Sequence, residues 1–576
     1  MYENRRQKIE VLRGMLENER STFLPQWRDN ADYILPRRPQ FTVTDSNRGE
    51  RRNQKIIDAT ATLAARTLRS GMMGGITSPA RPWFRLSTPD PALAESSAAK
   101  IWLDIVTTRM TTVFLRSNLY NALPIVYGDM GTFGTAAMAI EEDFENVIRC
   151  YPFPIGSYCI ATDDRQKVDV FFREFRYTVR QLVQKFGMGP DGKIDWSKFS
   201  VTVKNHYDNK QMDIWITVCH VIQPNLDYNQ KSLTSKKYES VYYEKGQGSA
   251  TAMGAETYLR DSGFDYFPVL APRWEVTGED VYGTECPGNI AIGDIKALQI
   301  MQKRKAQAIE KMVNPPMIGP STLRTQKASI LPGDITYVDE REGQKGFRPA
   351  HEVNFRIEAL TADIQEIQQR IRRTYYEDLF LTLTNSDRRM ITAREIDERH
   401  EEKLLALGPV LEQLNQDLLD PLIDISFNIM AKQGFIPPPP PELNGHVLKV
   451  EYISIMHQAQ KLAGLVGIEK LAQFAGQVAQ FKPEVLDKID GDQMVDEYAD
   501  IIGTPPRIIV SDDQVMQVRA QRQQAQAQQA QQAQIAQTAK TAKDLSAADL
   551  SGNNALSALA NQAAAGGSML PPTVPQ

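Results

Sequence analysis

The sequence predicts an α+β chain that is mainly helical, and three observations carry that expectation. Before about residue 135 and after about residue 288, apolar residues recur at steps of three and four, the period of helices with one buried face. Between these regions, short runs of β-branched and aromatic residues alternate with turn signals, as antiparallel strands do. Beyond residue 511 the chain is almost entirely glutamine and alanine, which favours helix but offers little to a core.

The 576 residues are enough for roughly three or four domains with a sizeable core. With 66 Lys+Arg against 71 Asp+Glu, a net charge of −5, the chain has no global attraction to nucleic acid or anionic membrane, so any DNA contact must be local. Cys150, Cys159, Cys219 and Cys286 lie far apart and fit buried thiols in a reducing compartment better than a disulfide framework or zinc site. The first residues are charged throughout, and no apolar run approaches the ~20 residues of a membrane span. A soluble, unsecreted chain is expected.

Taken in order, residues 1 to 35 read as a helix with Ile9, Leu12, Leu16 and Phe23 on one side, broken by "LPRRPQF". A basic, turn-rich stretch, "FTVTDSNRGERRNQ", reads as a mobile loop. Ile57, Ala61, Ala64 and Leu68 then mark a helix that the glycines of "RSGMMGGITSPARPWF" are expected to end, with Trp83 and Phe84 as buried anchors. Ile101, Ile105, Met110, Val113 and Leu119 mark further helices. From about residue 136, "TAAMAIEED", "KVDVFFREFRYT", "FSVTVKNHY", "MDIWITVCHVI" and "YESVYYEKG" read as strands, with "TVRQLVQKFG" as an inserted helix.

From about residue 288 the helices lengthen. Val353, Ile357, Leu360, Ile364, Ile367, Ile371 and Tyr375 form a sustained seam on a helix that would span roughly 40 Å. A second seam runs through Leu404, Leu407, Leu411, Leu414, Leu418, Leu422, Ile425 and Ile429. It follows a capping-box pattern at Thr392 and Glu395, with kinks expected at Pro409 and Pro421 and a stop at Gly434. "FIPPPPPE" is a stiff spacer, and residues 446 to 510 read as a compact helical segment. A helix is expected from about Asp512 to Leu545, stable only when packed against copies of itself, with disorder after Gly566.

Enzymatic motifs are weak. "GMGPDGKI", Gly187 to Ile194, matches a phosphate loop except that Ile194 stands where a magnesium-binding hydroxyl is needed, and Pro190 removes an amide, so it reads as a turn. The six histidines share no ligand spacing, and "LDKIDGDQMVDEY" has the wrong spacing for a calcium loop. No catalytic residue, cofactor or metal is assigned. The cluster "QKRK" from Gln302 to Lys305 reads either as a solvated helix face or as a face toward a wet channel.

Three stretches together carry a resemblance: "SGMMGGITSPARPWFRL", "GTECPGNIAIGDIKALQIMQKRKAQAIEKMVNPPMI" and "MITAREIDERHEEKLLALGPVLEQLNQDLLDPLIDISFNIM". Over roughly residues 1 to 510 the chain resembles the head-to-tail connector, or portal, protein of short-tailed bacteriophages. The resemblance implies a ring, typically a dodecamer, at one capsid vertex, through which a terminase motor drives double-stranded DNA and DNA later leaves. It implies a virion protein assembled in the host cytoplasm, without membrane contact. Expected partners are further copies of the chain, non-specifically held DNA, the terminase large subunit, a tail adaptor, and capsid and scaffolding proteins.

Carried onto this chain, the family's parts fall as follows. Residues 1–287 would be the wing, 288–313 and 352–380 the paired stem helices, and 314–351 the clip. Residues 381–391 would be the tunnel loop, 392–434 a long kinked helix, 435–510 the crown, 511–545 a helical barrel and 546–576 a tail. Thr384, Asn385, Ser386, Asp387, Arg388 and Arg389 would then face the DNA channel, with Arg324 and Lys327 in the clip as further DNA or partner contacts. Competing readings are an ATP-driven nucleic-acid translocase, motivated by "GMGPDGKI", and a coiled-coil scaffold or tape-measure-like protein, motivated by the helices and the glutamine tail. The β-rich middle argues against the scaffold.

Overall fold

The computed structural model describes the chain outside residues 1–4, 45–48, 50–51, 91–92, 94–95, 190–191, 230–231, 233–234, 247–257, 320–347, 350–356, 386–406, 444, 446–447, 454–470, 480, 483–487, 503–511 and 547–576. It forms two units, Met1–Gly503 and Thr504–Gln576.

The first unit opens with helix α1 (Arg5–Tyr33), whose two ends bury different partners. Ile9 and Leu16 pack among Phe172, Val221 and Tyr243, while Trp27 and Ala31 join a second cluster with Phe133, Phe171 and Tyr282. The predicted helix in the glycine-rich region is α2 (Thr60–Ile76), which begins after Ile57 and does not stop at the glycines. Gly71, Gly74 and Gly75 lie inside it, a correction to the expected helix end. Gly71 is the point of closest approach to Phe380, where an added Cβ would fall 2.2 Å from the ring. Tertiary contact has overridden the local preference of glycine to end a helix.

Strand β1 (Phe84–Ser87) and helices α3 (Ser97–Arg116) and α4 (Leu119–Phe133) contribute to the largest core cluster. Trp83 and Phe84 are its anchors, as expected. Their rings meet Phe114 at centroid distances of 6.1 and 5.8 Å, and the Trp83 Nε1–H donates to the Tyr120 hydroxyl.

The middle region holds two sheets. One orders β3 (Val147–Phe153), β2 (Ala137–Asp143) and β9 (Val269–Leu270). The other orders β4 (Tyr158–Thr162), β5 (Val168–Thr178), β6 (Trp215–Pro224), β7 (Tyr238–Glu244) and β8 (Arg260–Phe264), with antiparallel neighbours throughout. The inserted helix is α5 (Val179–Phe186), closed by a capping box between Thr178 and Gln181. "FSVTVKNHY" is not a strand: it contains α6 (Val201–Asp208), whose start is capped by Ser200 Oγ accepting from the Val203 amide. Only Val203 of that helix is buried, so the β-branched run had no second face to cover. All four cysteines are buried and free, and burial pushes each thiol up to about 12.

Helix α7 (Pro287–Val313) is followed by the short pair β10 (Met317–Ile318) and β11 (Arg348–Pro349), then by α8 (Ile357–Thr374). The expected single helix through Phe380 breaks at Tyr375–Tyr376, where Tyr376 takes φ 55°, and resumes as α9 (Glu377–Asn385). The second seam forms α10 (Gly408–Leu414), a π-helical turn over Asn415–Leu419, and α11 (Asp420–Lys432). Pro409 lies in the first turn of α10, where a missing amide costs nothing. At Pro421 the chain is locally re-registered rather than broken: the Asp420 amide reaches back five residues to Asn415 O. Leu407, Leu411, Leu414, Leu418, Leu422, Ile425 and Ile429 are all buried. Gly434, at φ 75°, ends the helix with its amide on Ala431 O and that of Phe435 on Met430 O, as expected.

Beyond the prolines, the segment expected to be wholly helical begins with strand β12 (Lys449–Tyr452), which pairs antiparallel with β1. Residues 471–479 are helical, and α12 (Gly491–Ile502) closes the first unit. The second unit contains α13 (Asp512–Ser546), matching the expected glutamine-alanine helix; its described side chains are almost all exposed.

Candidate functional site

The pair α7 and α8 is anchored at one end and uncovered at the other. At its start, α7 buries Ala291, Ile295 and Leu298, and Gly288 sits so close to Thr132 that a Cβ would fall 2.2 Å from the Thr132 carbonyl oxygen. Asn30 Nδ2 donates to Asn289 Oδ1 (2.6 Å) and to Thr132 O (2.7 Å), and Lys296 pairs with Asp29 at 2.7 Å. Helix α8 contributes the predicted seam: Ile364 and Ile371 are buried, with Leu360 and Ile367 packed against the same core.

A polar clamp ties both helices to the start of α2. Asp58 Oδ1 accepts from the Thr60 amide at 2.8 Å, and its Oδ2 accepts from Gln302 Nε2 at 2.9 Å and Gln368 Nε2 at 2.8 Å. Gln299 Oε1 accepts from the Ile57 and Asp58 amides at 2.7 and 2.8 Å, while its Nε2 donates to Asp58 O. Burial works against the Asp58 carboxylate, but the hydrogen bonds from Thr60, Gln368 and Gln302 outweigh it and hold the group below the usual carboxylate range. One carboxylate thus joins three helices, and removing it leaves the half-buried amide donors of Gln302 and Gln368 without this acceptor.

From Lys303 onward α7 loses its cover. Ile309, Met312 and Val313 are exposed, Val313 by 80%. Lys303, Arg304 and Lys311 are exposed and make no ion pair among the described residues. Arg304 and Lys311 are seven residues apart and so share a helix face. On α8, Arg370 is taken up by Asp294 at 2.9 Å and Arg372 by Glu377 at 3.5 Å. Uncommitted cations interleaved with exposed apolar side chains suit contact with a partner surface or with phosphate oxygens. "QKRK" is split between roles: Gln302 belongs to the clamp, and Lys303 and Arg304 to the exposed tip.

Of the residues singled out from sequence, Thr384 and Asn385 lie at the end of α9. The turn expected from Leu381 to Ile391 is therefore helical over its first five residues, a correction to that reading. Ser386, Asp387, Arg388 and Arg389, with Thr392 and Glu395, lie outside the described residues, as do Arg324 and Lys327. On either side of Pro190 and Asp191, which lie outside the described residues, the Gly189 amide donates to Lys193 O and Met188 is bridged to Ile194. Sequence reasoning missed the clamp, although Asp58 two residues ahead of Thr60 is a recognisable helix-start signal. It also missed the buried pair of Arg273 and Asp417 (Nε–Oδ2 3.1 Å), which joins the segment before α7 to the π-helical turn. Nothing local could have announced a partner 144 residues away. No helix among the described residues is long and apolar enough to cross a membrane.

The chain matches the family described as bacteriophage head to tail connecting protein over residues 6–510. It is 48% identical to a portal protein of Salmonella phage epsilon15 over 567 residues, covering 98% of this chain and 100% of the relative. It is 42% identical over 560 residues to a probable portal protein of Bordetella phage BPP-1, covering 97% of this chain and 98% of the relative.

Proposed function

The chain belongs to the bacteriophage head-to-tail connecting protein family and functions as a portal protein, and from that premise we propose that it works as one subunit of a closed ring, a dodecamer set at a capsid vertex. Double-stranded DNA passes through the ring without sequence-specific contact, inward during packaging and outward during ejection. The ring docks the terminase large subunit and a tail adaptor, and meets capsid and scaffolding proteins during assembly in the host cytoplasm.

The observation that carries the ring is the uncovered half of α7, where Ile309, Met312 and Val313 stand in solvent on an otherwise firmly anchored helix. A contact between different faces of identical subunits that closes on itself gives cyclic symmetry. In this reading α7 and α8 are the paired stem helices, the chain before them is the wing, residues 314–351 are the clip, and α13 packs against its copies as a barrel. Arg388 and Arg389, with Thr384, Asn385, Ser386 and Asp387 around them, contact DNA phosphates in the tunnel, and Arg324 and Lys327 do so in the clip. Such contacts are loose and weaken with salt.

The subunit performs no chemistry of its own: the one Walker-like stretch lacks the hydroxyl that holds magnesium. Native mass and negative-stain images of the purified protein, taken with its ATP turnover, test the reading. A closed ring without turnover is expected. Monomers or open filaments across salt and concentration would overturn the ring, and turnover abolished by Lys193→Ala would overturn the assignment of Gly187–Ile194 as a turn.

A further inference from the structure

Helix α3 carries apolar residues on two faces, and the described residues cover only one. Ala99, Trp102, Val106, Met110, Val113 and Phe114 are buried in the main core. On the other side Ile101, Ile105, Thr108, Thr112 and Leu115 follow one another at steps of four, three, four and three, the spacing of a helix-packing seam, and all five are exposed, Ile101 by 58% and Leu115 by 54%. Beside this stripe lies a cavity of about 380 Å³, bordered by Thr108, Thr112, Phe435 and the fully exposed Phe144. Two cations, Arg109 and Arg116, also line it beside Glu145; Arg109 donates to Phe435 O, and neither arginine forms an ion pair among the described residues.

A second element of the same chain has the complementary character. Helix α12 leaves Val495, 60% exposed, and Tyr498 in solvent. Its twelve residues carry Asp492, Asp496, Glu497 and Asp500 and no cation. At about 1.5 Å per residue it is roughly 18 Å long, against roughly 21 Å for the stripe from Ile101 to Leu115. Among the described residues nothing covers Val495, Tyr498 or the Ile101–Leu115 stripe, so neither surface is the other's partner in this conformation.

We propose that α12 of one subunit docks along the outer face of α3 of a neighbouring copy, Val495 and Tyr498 on the Ile101–Leu115 stripe and the net negative charge of the helix toward Arg109 and Arg116. The contact is a helix laid into an apolar groove with charge selecting the partner. It joins two different surfaces of identical chains, as ring closure requires. The proposal rests on the ring reading above and names one interface within it.

The test uses the full chain, whose native cysteines are all buried and so give no background disulfide. Thr108→Cys, at the middle of the stripe, and Val495→Cys are made in separate chains, assembled as an equal mixture and oxidised. The expected result is a disulfide-linked dimer from the mixture that neither variant gives alone. Thr112→Cys replaces Thr108→Cys as an independent second site should the first variant fail to assemble. Intact rings in electron micrographs with no dimer from either mixture would overturn the docking while leaving the ring standing. A disulfide that forms only within one chain, in the double variant, would overturn the neighbouring copy as occupant. Wild-type protein that forms no ring at all would overturn both readings.

Discussion

Gly71→Ala inserts one methyl group where α2 meets α9. The new Cβ would lie 2.2 Å from Phe380 Cγ and Cδ1 and 2.4 Å from its Cβ, and Phe380 is 1% exposed, so the ring has no solvent to retreat into. Overpacking of a closed core costs about 1–3 kcal/mol, and three contacts this short put the variant at the upper end. Against this, alanine is better than glycine in a helix interior by about 1 kcal/mol. The net expectation is a loss of about 2 kcal/mol. Gly74, one turn further on, has nothing within 4 Å of its added Cβ, so Gly74→Ala should gain up to about 1 kcal/mol. The same substitution three residues apart thus carries opposite signs.

Native-state hydrogen exchange of α2 and α9 amides measures this locally, at matched protein concentration because association shifts apparent stability. Exchange should quicken by about thirtyfold in Gly71→Ala and slow several-fold in Gly74→Ala, taking 1.4 kcal/mol as roughly tenfold. Changes of the same sign in both variants would refute the reasoning, as would protection in Gly71→Ala. Removing the ring with Phe380→Ala takes away the Cγ and Cδ1 contacts, so Gly71→Ala should cost less in that background, a coupling that two unconnected sites would not show.

Burial first, then Arg173, Lys185 and Arg260, holds His220 well below the ordinary histidine range. The unfolded chain therefore binds a proton that the folded chain refuses, and this contribution to stability is lost as pH falls through the ordinary histidine value. Thermal midpoints should drop between about pH 7 and about pH 5, and less steeply in His220→Gln. Asp129 has the opposite sign: burial lifts its carboxyl to about 6 despite Arg38, so acidification through that value adds stability, and Asp129→Asn should steepen the acid loss. Asp417→Asn leaves Arg273, which is 2% exposed on its side chain, without its counter-charge and should cost about 3–5 kcal/mol by denaturation, with much of it recovered by adding Arg273→Met. Gly434→Ala forces a side chain into left-handed backbone at φ 75° and should cost about 1–2 kcal/mol, read as faster exchange over the last turn of α11.

The seams were the most legible part of the sequence, because a periodic apolar face records a burial decision made locally. Leu407 to Ile429 and Leu360 to Ile371 were placed on the correct faces from spacing alone. Where the deciding contact lies far along the chain, the reading failed. Three glycines within five residues signal a helix end, and only Phe380, some three hundred residues later, explains why α2 continues. Tyr375–Tyr376 breaks a helix with no glycine or proline to announce it. "FSVTVKNHY" was misread because β-branched composition outweighed the Ser200 cap, although the other four stretches read as strands were placed correctly. The family was legible from three contiguous stretches. The clamp around Asp58 was not, because its members come from three separate helices and glutamine has no spacing of its own to follow.

The pairing of β1 with β12 sets a schedule. Phe84 faces Tyr452 across the ladder and Arg85 reaches Glu451 at 2.7 Å, so a strand made early in synthesis waits for one made near its end. At about 5–20 residues per second, the intervening chain of roughly 370 residues takes roughly 20 to 70 s to emerge. Throughout that interval β1 offers a free edge beside Trp83 and Phe84, the aromatic centre of the largest core. A nascent chain in this state is a template for pairing with any other exposed strand, including the same strand on a neighbouring ribosome of the same message. The arrival of residues 449–452 ends that exposure, so a chain that terminates before Lys449 should reach the cell's quality control rather than the virion.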